Sequence, residues 1–252
     1  MAHASIEISE DAGVRYLHFS SEWVQGAMRI ARPWALELEY TREMMACLLL
    51  RPEPEWPQRI LLIGLGAASL TKFLYRHRPQ AQLTVVEIDP QVLATARLHF
   101  KLPEDPDRLH IEIADGVNFV EETAQRFDLI LVDGFDAKGR AGALDSLPFY
   151  RACRARLSDD GLLVVNLLGR NRGFRQSVAR IREVFDDRAI VFPACDAGNA
   201  IVFAAVGAPV EEPLGDLKIG ARRLQRATGL NLSPTLARLE KAGTCSGGEL
   251  RL

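Results

Sequence analysis

Four carboxylates stand where successive apolar runs end. Glu87 closes Leu83-Thr84-Val85-Val86-Glu87, and Asp115 follows Ile111 to Ile113 in Ile113-Ala114-Asp115-Gly116. Asp133 and Asp136 follow the run Leu129 to Val132 in Val132-Asp133-Gly134-Phe135-Asp136. Open α/β sheets place ligands just beyond the carboxyl ends of their strands, so these acids are candidates for one site. An acid ending the second strand can accept hydrogen bonds from ribose hydroxyls. One after the third can accept from an adenine amino group, and the end of the fourth is a usual place for catalytic groups. Each also has a plainer role. Asp115 suits a helix N-cap, Asp133-Gly134 a turn, and Asp136, close to Lys138 and Arg140, a solvated loop. Four in register after successive strands make a site the better reading.

The elements that must position them begin with Arg59-Ile60-Leu61-Leu62-Ile63-Gly64-Leu65-Gly66-Ala67-Ala68-Ser69. An apolar run without polar alternation reads as a buried parallel strand. Gly64 and Gly66 then allow a tight turn and close approach of a ligand to a helix N-terminus. With Glu87 one helix and one strand later, the pattern predicts an adenosine-containing ligand. Ser69 at the third glycine position, together with the closing strand pair described below, argues against a dinucleotide dehydrogenase.

From Arg59 to Val206 strands and helices alternate, which predicts a parallel, doubly wound sheet. Strands are expected near Ile60–Ile63, Gln82–Glu87, Leu109–Ile113, Leu129–Val132, Leu162–Leu167, Ala189–Phe192 and Ala200–Ala205. The turn-rich segment Phe192 to Asn199 makes the last two an antiparallel pair. Such a seven-stranded sheet is that of a Rossmann-like class I S-adenosylmethionine-dependent methyltransferase fold. Residues 1–35 read as a small N-terminal β region, 36–210 as the ligand-binding catalytic domain and 211–252 as a helical tail. A helix is expected over Leu36 to Leu50, two more near Leu214–Ala227 and Thr235–Lys241, and a frayed end from Gly243 to Gly248.

Composition narrows the partners. The chain has 252 residues, a net charge of −2 and no basic block, which predicts neither nucleic-acid nor membrane binding. The start lacks the basic and apolar regions of a signal peptide, and four scattered cysteines with no C-x-x-C pair predict neither zinc nor disulfides. A reducing cytoplasm is the expected setting. The histidines lie at no metal-ligand spacing, so no metal is expected, and the serines lack a Gly-x-Ser-x-Gly context.

The order of motifs resembles the spermidine synthase family of aminopropyltransferases. It runs through Leu62-Ile63-Gly64-Leu65-Gly66, Val86-Glu87-Ile88-Asp89-Pro90, Asp107-Arg108-Leu109, Ala114-Asp115-Gly116 and Phe127 to Asp136. It continues with Gly142-Ala143-Leu144, Phe149-Tyr150 and Leu157-Ser158-Asp159-Asp160-Gly161. The resemblance implies that the donor is decarboxylated S-adenosylmethionine, with Glu87 on the ribose and Asp115 on the adenine. Asp133 would orient and deprotonate the attacking amine, Asp136 would bind the distal ammonium of a polyamine, and the molecule would be a homodimer.

Three departures accompany it. Ala67 stands where the family carries an aspartate that meets the donor's ammonium. Thr41-Arg42-Glu43-Met44 stands where a tyrosine precedes His or Gln and then Glu-Met, and Ala137 replaces a proline. Arg42, if it faces the cleft, would favour a carboxylate over a polyamine. These changes suit the zwitterionic end of S-adenosylmethionine itself, so methyl transfer on the same fold stands as the alternative. A non-catalytic nucleoside-binding relative stands third. Trp23, Gln25 and Trp34 are candidates for a lid, with packing as the plainer role, and Gln25 is taken as a substrate contact.

Overall fold

The computed structural model describes residues 5–19, 24–135, 139–170, 172–195 and 198–252. Asp136, Ala137 and Trp23 therefore lie outside the described residues. The strands β1 (Ile6–Asp11), β2 (Val14–Phe19) and β3 (Val24–Arg29) form an antiparallel sheet ahead of the main one. Two short helices follow, α1 (Glu39–Met44) and α2 (Cys47–Leu50), where the sequence suggested one. The break comes where backbone bonds contract to three-residue spacing at Met45 and Ala46. Met44 to Cys47 are buried on every side, so this stretch passes through the core rather than along it.

The main sheet contains β4 (Arg59–Ile63), β5 (Gln82–Glu87), β6 (Leu109–Ile113), β7 (Phe127–Val132), β8 (Leu157–Leu168), β9 (Ala189–Val191) and β10 (Asn199–Ala205). Their order is β6-β5-β4-β7-β8-β10-β9, with β10 antiparallel to both neighbours, as the turn between the last two strands requires. The chain leaves β4 through α3 (Ser69–His77) toward β5 and returns on the other side at β7, so the sheet reverses direction beside β4. That reversal opens a crevice at the strands' carboxyl ends.

Alternate residues of each strand feed two cores. Ile60, Leu62, Leu83 and Val85 pack with α3 and α4 (Pro90–His99). Leu61, Ile63, Ile130 and Val132 pack with α5 (Gly116–Glu122), α6 (Leu147–Arg156) and α7 (Phe174–Val184). The tail adds α8 (Leu214–Thr228) and α9 (Ser233–Lys241) to the first core. Its end is not frayed: β12 (Glu249–Arg251) pairs with β11 (Glu211–Pro213), and Leu250 and Leu252 are buried. The glycines of 243–248 turn the chain back to that pairing. Among the described residues no helix is long and apolar enough to cross a membrane.

Candidate active site

Gly64 lies at the reversal point with φ +98°, a conformation L side chains rarely adopt. A Cβ there would lie 2.4 Å from the carbonyl oxygen of Asp133. The Gly64 amide donates to Val86 O at 2.9 Å, and the Asp133 amide to Ile63 O at 2.9 Å. The ends of β4, β5 and β7 are thus drawn together, and their acids face one crevice of about 270 Å³. Its walls include Gln25, Gly66, Glu87, Asp115, Asp133 and Leu144.

Glu87 is buried and accepts the Leu65 amide on Oε2 and the Asp89 amide on Oε1, each at 2.9 Å. Burial raises its carboxyl pKa and the amide bonds pull it back. Each carboxylate oxygen keeps accepting capacity beyond its one bond. Asp115 takes the plainer of its expected roles, a helix N-cap. Its Oδ1 caps α5 by accepting the amides of Val117 at 2.8 Å and Asn118 at 3.3 Å, and the residue also lines the crevice.

Asp133 is held by side chains on both oxygens. Its Oδ1 accepts from Asn166 Nδ2 at 2.8 Å and its Oδ2 from the Tyr40 hydroxyl at 3.2 Å. Asn166 in turn accepts from Asn199 Nδ2 at 2.9 Å. Burial raises the carboxyl to about 6, against the pull of the two donors. Burial and the neighbouring carboxylate push the Tyr40 phenol well up, so it stays a donor. Asp133 is therefore ionised but poorly solvated at neutral pH, a suitable state for a general base.

Tyr40 and Asn166 were not singled out from the sequence. Tyr40 lies on α1, one residue ahead of Thr41, the position at which the resemblance marked a tyrosine as replaced. A lone Asn in Leu163-Val164-Val165-Asn166-Leu167 was the available signal for the other, since a buried amide in an apolar strand needs a partner.

Arg42 does not reach the crevice. Successive helical residues turn by about 100°, so Arg42 points almost opposite to Tyr40. Its guanidinium donates to Leu36 O at 2.9 Å and to Glu37 O, beside a separate hollow near the α8–α9 turn. Trp34 also packs elsewhere, stacked on Tyr75 with ring centroids 6.4 Å apart. Ala67 is 2 % exposed and sits with Leu17, Met28 and Phe100 under the N-terminal sheet. A Cβ on Gly26 of β3 would lie 2.5 Å from the Ala67 Cβ. The described residues contain no cluster of three metal-ligating side chains.

The sheet order, glycine loop and acids at strand ends define a Rossmann-like fold of the class I methyltransferase type. A model of the spermine/spermidine synthase domain matches residues 38–185. A polyamine aminopropyltransferase of Neisseria meningitidis is 36% identical over 247 residues, covering 98% of this chain and 93% of that one. The chain belongs to the spermine/spermidine synthase family. A probable spermidine synthase from Corynebacterium glutamicum shares the fold, with a TM-score of 0.72 over 90% of this chain and 91% of that one at 22% identity. Human methyltransferase-like protein 13 in complex with SAH gives a TM-score of 0.67 over 77% of this chain and 93% of that one, at 25% identity.

Proposed function

We propose that the protein transfers the aminopropyl group of decarboxylated S-adenosylmethionine to a small amine or polyamine. The observation that carries this is the Asp133 carboxylate, held by Tyr40 and Asn166 at the mouth of β7 and facing the crevice of the glycine loop. Glu87 takes the ribose hydroxyls, and Asp115 lies toward the adenine. An ammonium cannot attack carbon, so the acceptor must first lose a proton. Asp133 orients the amine and receives that proton. The nitrogen then forms a bond to the carbon next to sulfur, the carbon–sulfur bond breaks, and sulfur keeps the electron pair as a neutral thioether. Alignment of nitrogen, carbon and sulfur supplies much of the acceleration. Asp136 is assigned the distal ammonium of the acceptor.

Ala67 favours a second reading. A neutral, enclosed side chain at that point offers the donor's ammonium no partner; in S-adenosylmethionine the adjacent carboxylate balances that ammonium, which makes the missing acid a smaller loss. Both donors, offered with putrescine and a panel of amines, distinguish the two by the nucleoside released. Methylthioadenosine in the mass spectrum supports aminopropyl transfer; S-adenosylhomocysteine refutes it and supports methyl transfer. Neither product, with nucleoside binding retained, supports a non-catalytic relative.

A further inference from the structure

α9 lies outside the crevice, yet one of its residues grips the helix that carries Tyr40. Arg238 donates to Glu39 through Nη1 and to Glu43 through Nη2. Glu39 and Glu43 stand one turn apart on α1, and Tyr40 lies about 100° around from Glu39. α1 has six residues and no side-chain N-cap, so its own hydrogen bonds do not hold it in place. Its position depends on what it packs against.

The grip is a costly form of adhesion. Glu43 is 0 % exposed, and burial, with Glu39 nearby, raises its carboxyl to about 7 despite the guanidinium beside it. Glu43 Oε1 and Arg238 Nε find no hydrogen-bond partner among the described residues. Apolar side chains of similar volume often stabilise such a contact equally well or better. What the ion pairs add is orientation. Two carboxylates one turn apart, held by one planar guanidinium, fix the rotation of α1 about its axis as well as its distance from α9. That rotation matters at the other end. A hydroxyl about 6 Å from a helix axis moves about 1 Å when the helix turns by about 10°, which takes a 3.2 Å bond out of range.

We propose that Arg238 is a positioning residue for Asp133: through Glu39 and Glu43 it sets the rotation of α1 that brings the Tyr40 hydroxyl onto the carboxylate. The C-terminal helices thereby act on the active site without touching it. The groups around Asp133 are Tyr40 on α1, whose phenol also feels Cys195, and Asn166 on β8. Glu87, Asp115 and Arg140 share the crevice.

The test reads Asp133 directly. Carbon-13 NMR of ligand-free protein labelled at aspartate carboxyls follows its titration, with the resonance assigned by its loss in Asp133→Asn. Tyr40→Phe removes one charged hydrogen bond and raises the midpoint by about one pH unit. Arg238→Met raises it in the same direction, and the double variant stands no higher than Tyr40→Phe alone. Glu39→Gln, a milder change at a half-exposed partner, shifts it less and covers the case in which Arg238→Met does not fold. Two results would overturn the proposal. One is an unmoved midpoint in folded Arg238→Met or Glu39→Gln. The other is a shift of undiminished size when Tyr40 is already Phe, which marks a direct charge effect. The proposal rests on Asp133 as the base, but its titration is read without substrate. Absence of turnover in the unaltered protein therefore tells against the transfer reaction alone.

Discussion

Replacing Asn166 by Leu tests how the fold sets the basicity of Asp133. Asn166 is 3 % exposed on β8 and gives Asp133 its shorter hydrogen bond, 2.8 Å against 3.2 Å from Tyr40. Leucine has a similar volume and no donor, so the space stays filled while the carboxylate loses a partner. A hydrogen bond to a charged group contributes about 1.5–3 kcal/mol, which at 1.36 kcal/mol per unit corresponds to about 1–2 pH units. From about 6, the midpoint moves to about 7–8. At pH 7 the ionised fraction drops from about nine-tenths to between about one-half and one-tenth, so kcat falls about two- to ninefold. At pH 9 most of the loss is recovered.

The assay is a kcat–pH profile from pH 5 to 10 for both proteins. The acid limb should shift upward while the alkaline plateau stays. Asn166→Asp sharpens the test, because a like charge against Asp133 disfavours ionisation further and should move the limb higher still. An equal loss of kcat at every pH, with the acid limb still near pH 6, would refute the reasoning. Asn166 would then be acting on geometry rather than on proton affinity.

Three other outcomes follow from the same contacts. Asp133→Asn should abolish turnover without lowering Tm at pH 8, because it removes a poorly solvated charge while keeping the side chain's shape; calorimetry and the product assay check both. Gly26→Ala puts a Cβ 2.5 Å from that of Ala67 and should force β3 off the glycine loop, lowering Tm by about 2–10 °C and raising KM for the donor more than it lowers kcat. Lys72, 1 % exposed and bonded to Phe100 O at 2.7 Å, has its pKa depressed by burial to about 7, against an ordinary 10.5. Between those values the unfolded chain holds a proton that the native state has released, so this site makes stability rise with pH. Lys72→Met should lose that rise, and a constant Tm difference from the parent between pH 7 and 10 would show that Lys72 stays charged.

What the sequence reveals is what repeats locally. Ile60 to Ile63 and Val85 to Glu87 declare buried strands by lacking polar alternation, and the turn residues from Phe192 to Asn199 give away the antiparallel ending. Glu87 and Asp115 are legible because a strand end is a local feature and the topology places it. Tyr40 and Asn166 are harder, since their role consists of contacts 93 and 33 residues along the chain. Arg42 misled for a related reason: a two-residue difference on a six-residue helix reverses the direction a side chain faces, and composition does not record rotation. The chain end misled through its glycines, which signal a bend whether or not a buried pair such as Leu250 and Leu252 lies beyond it.

Ala67 has a different standing once its surroundings are known. Taken alone, it is the loss of an acid that the family resemblance places against the donor's ammonium. In the fold it is half of a packed pair, because Gly26 has no room for a side chain where the Ala67 methyl lies, and Leu17, Met28 and Phe100 close the space around them. An aspartate at position 67 would be a carboxylate in an apolar enclosure, with a raised pKa and little charge to offer a cation. Recognition of an aminopropyl ammonium in this chain therefore has to come from the walls of the crevice, which include Gln25 and, of the acids there, Asp133 as the one not given to the nucleoside. A single carboxylate that both receives the acceptor's proton and neutralises the donor's charge would couple the two substrates: the donor's ammonium would stabilise the ionised base, and protonation of the base would weaken donor binding. In S-adenosylmethionine the adjacent carboxylate offsets that ammonium, so the coupling would be weaker. Donor affinity near the Asp133 midpoint should therefore depend more steeply on pH for decarboxylated S-adenosylmethionine than for S-adenosylmethionine, a comparison that equilibrium binding measurements make without detecting any product.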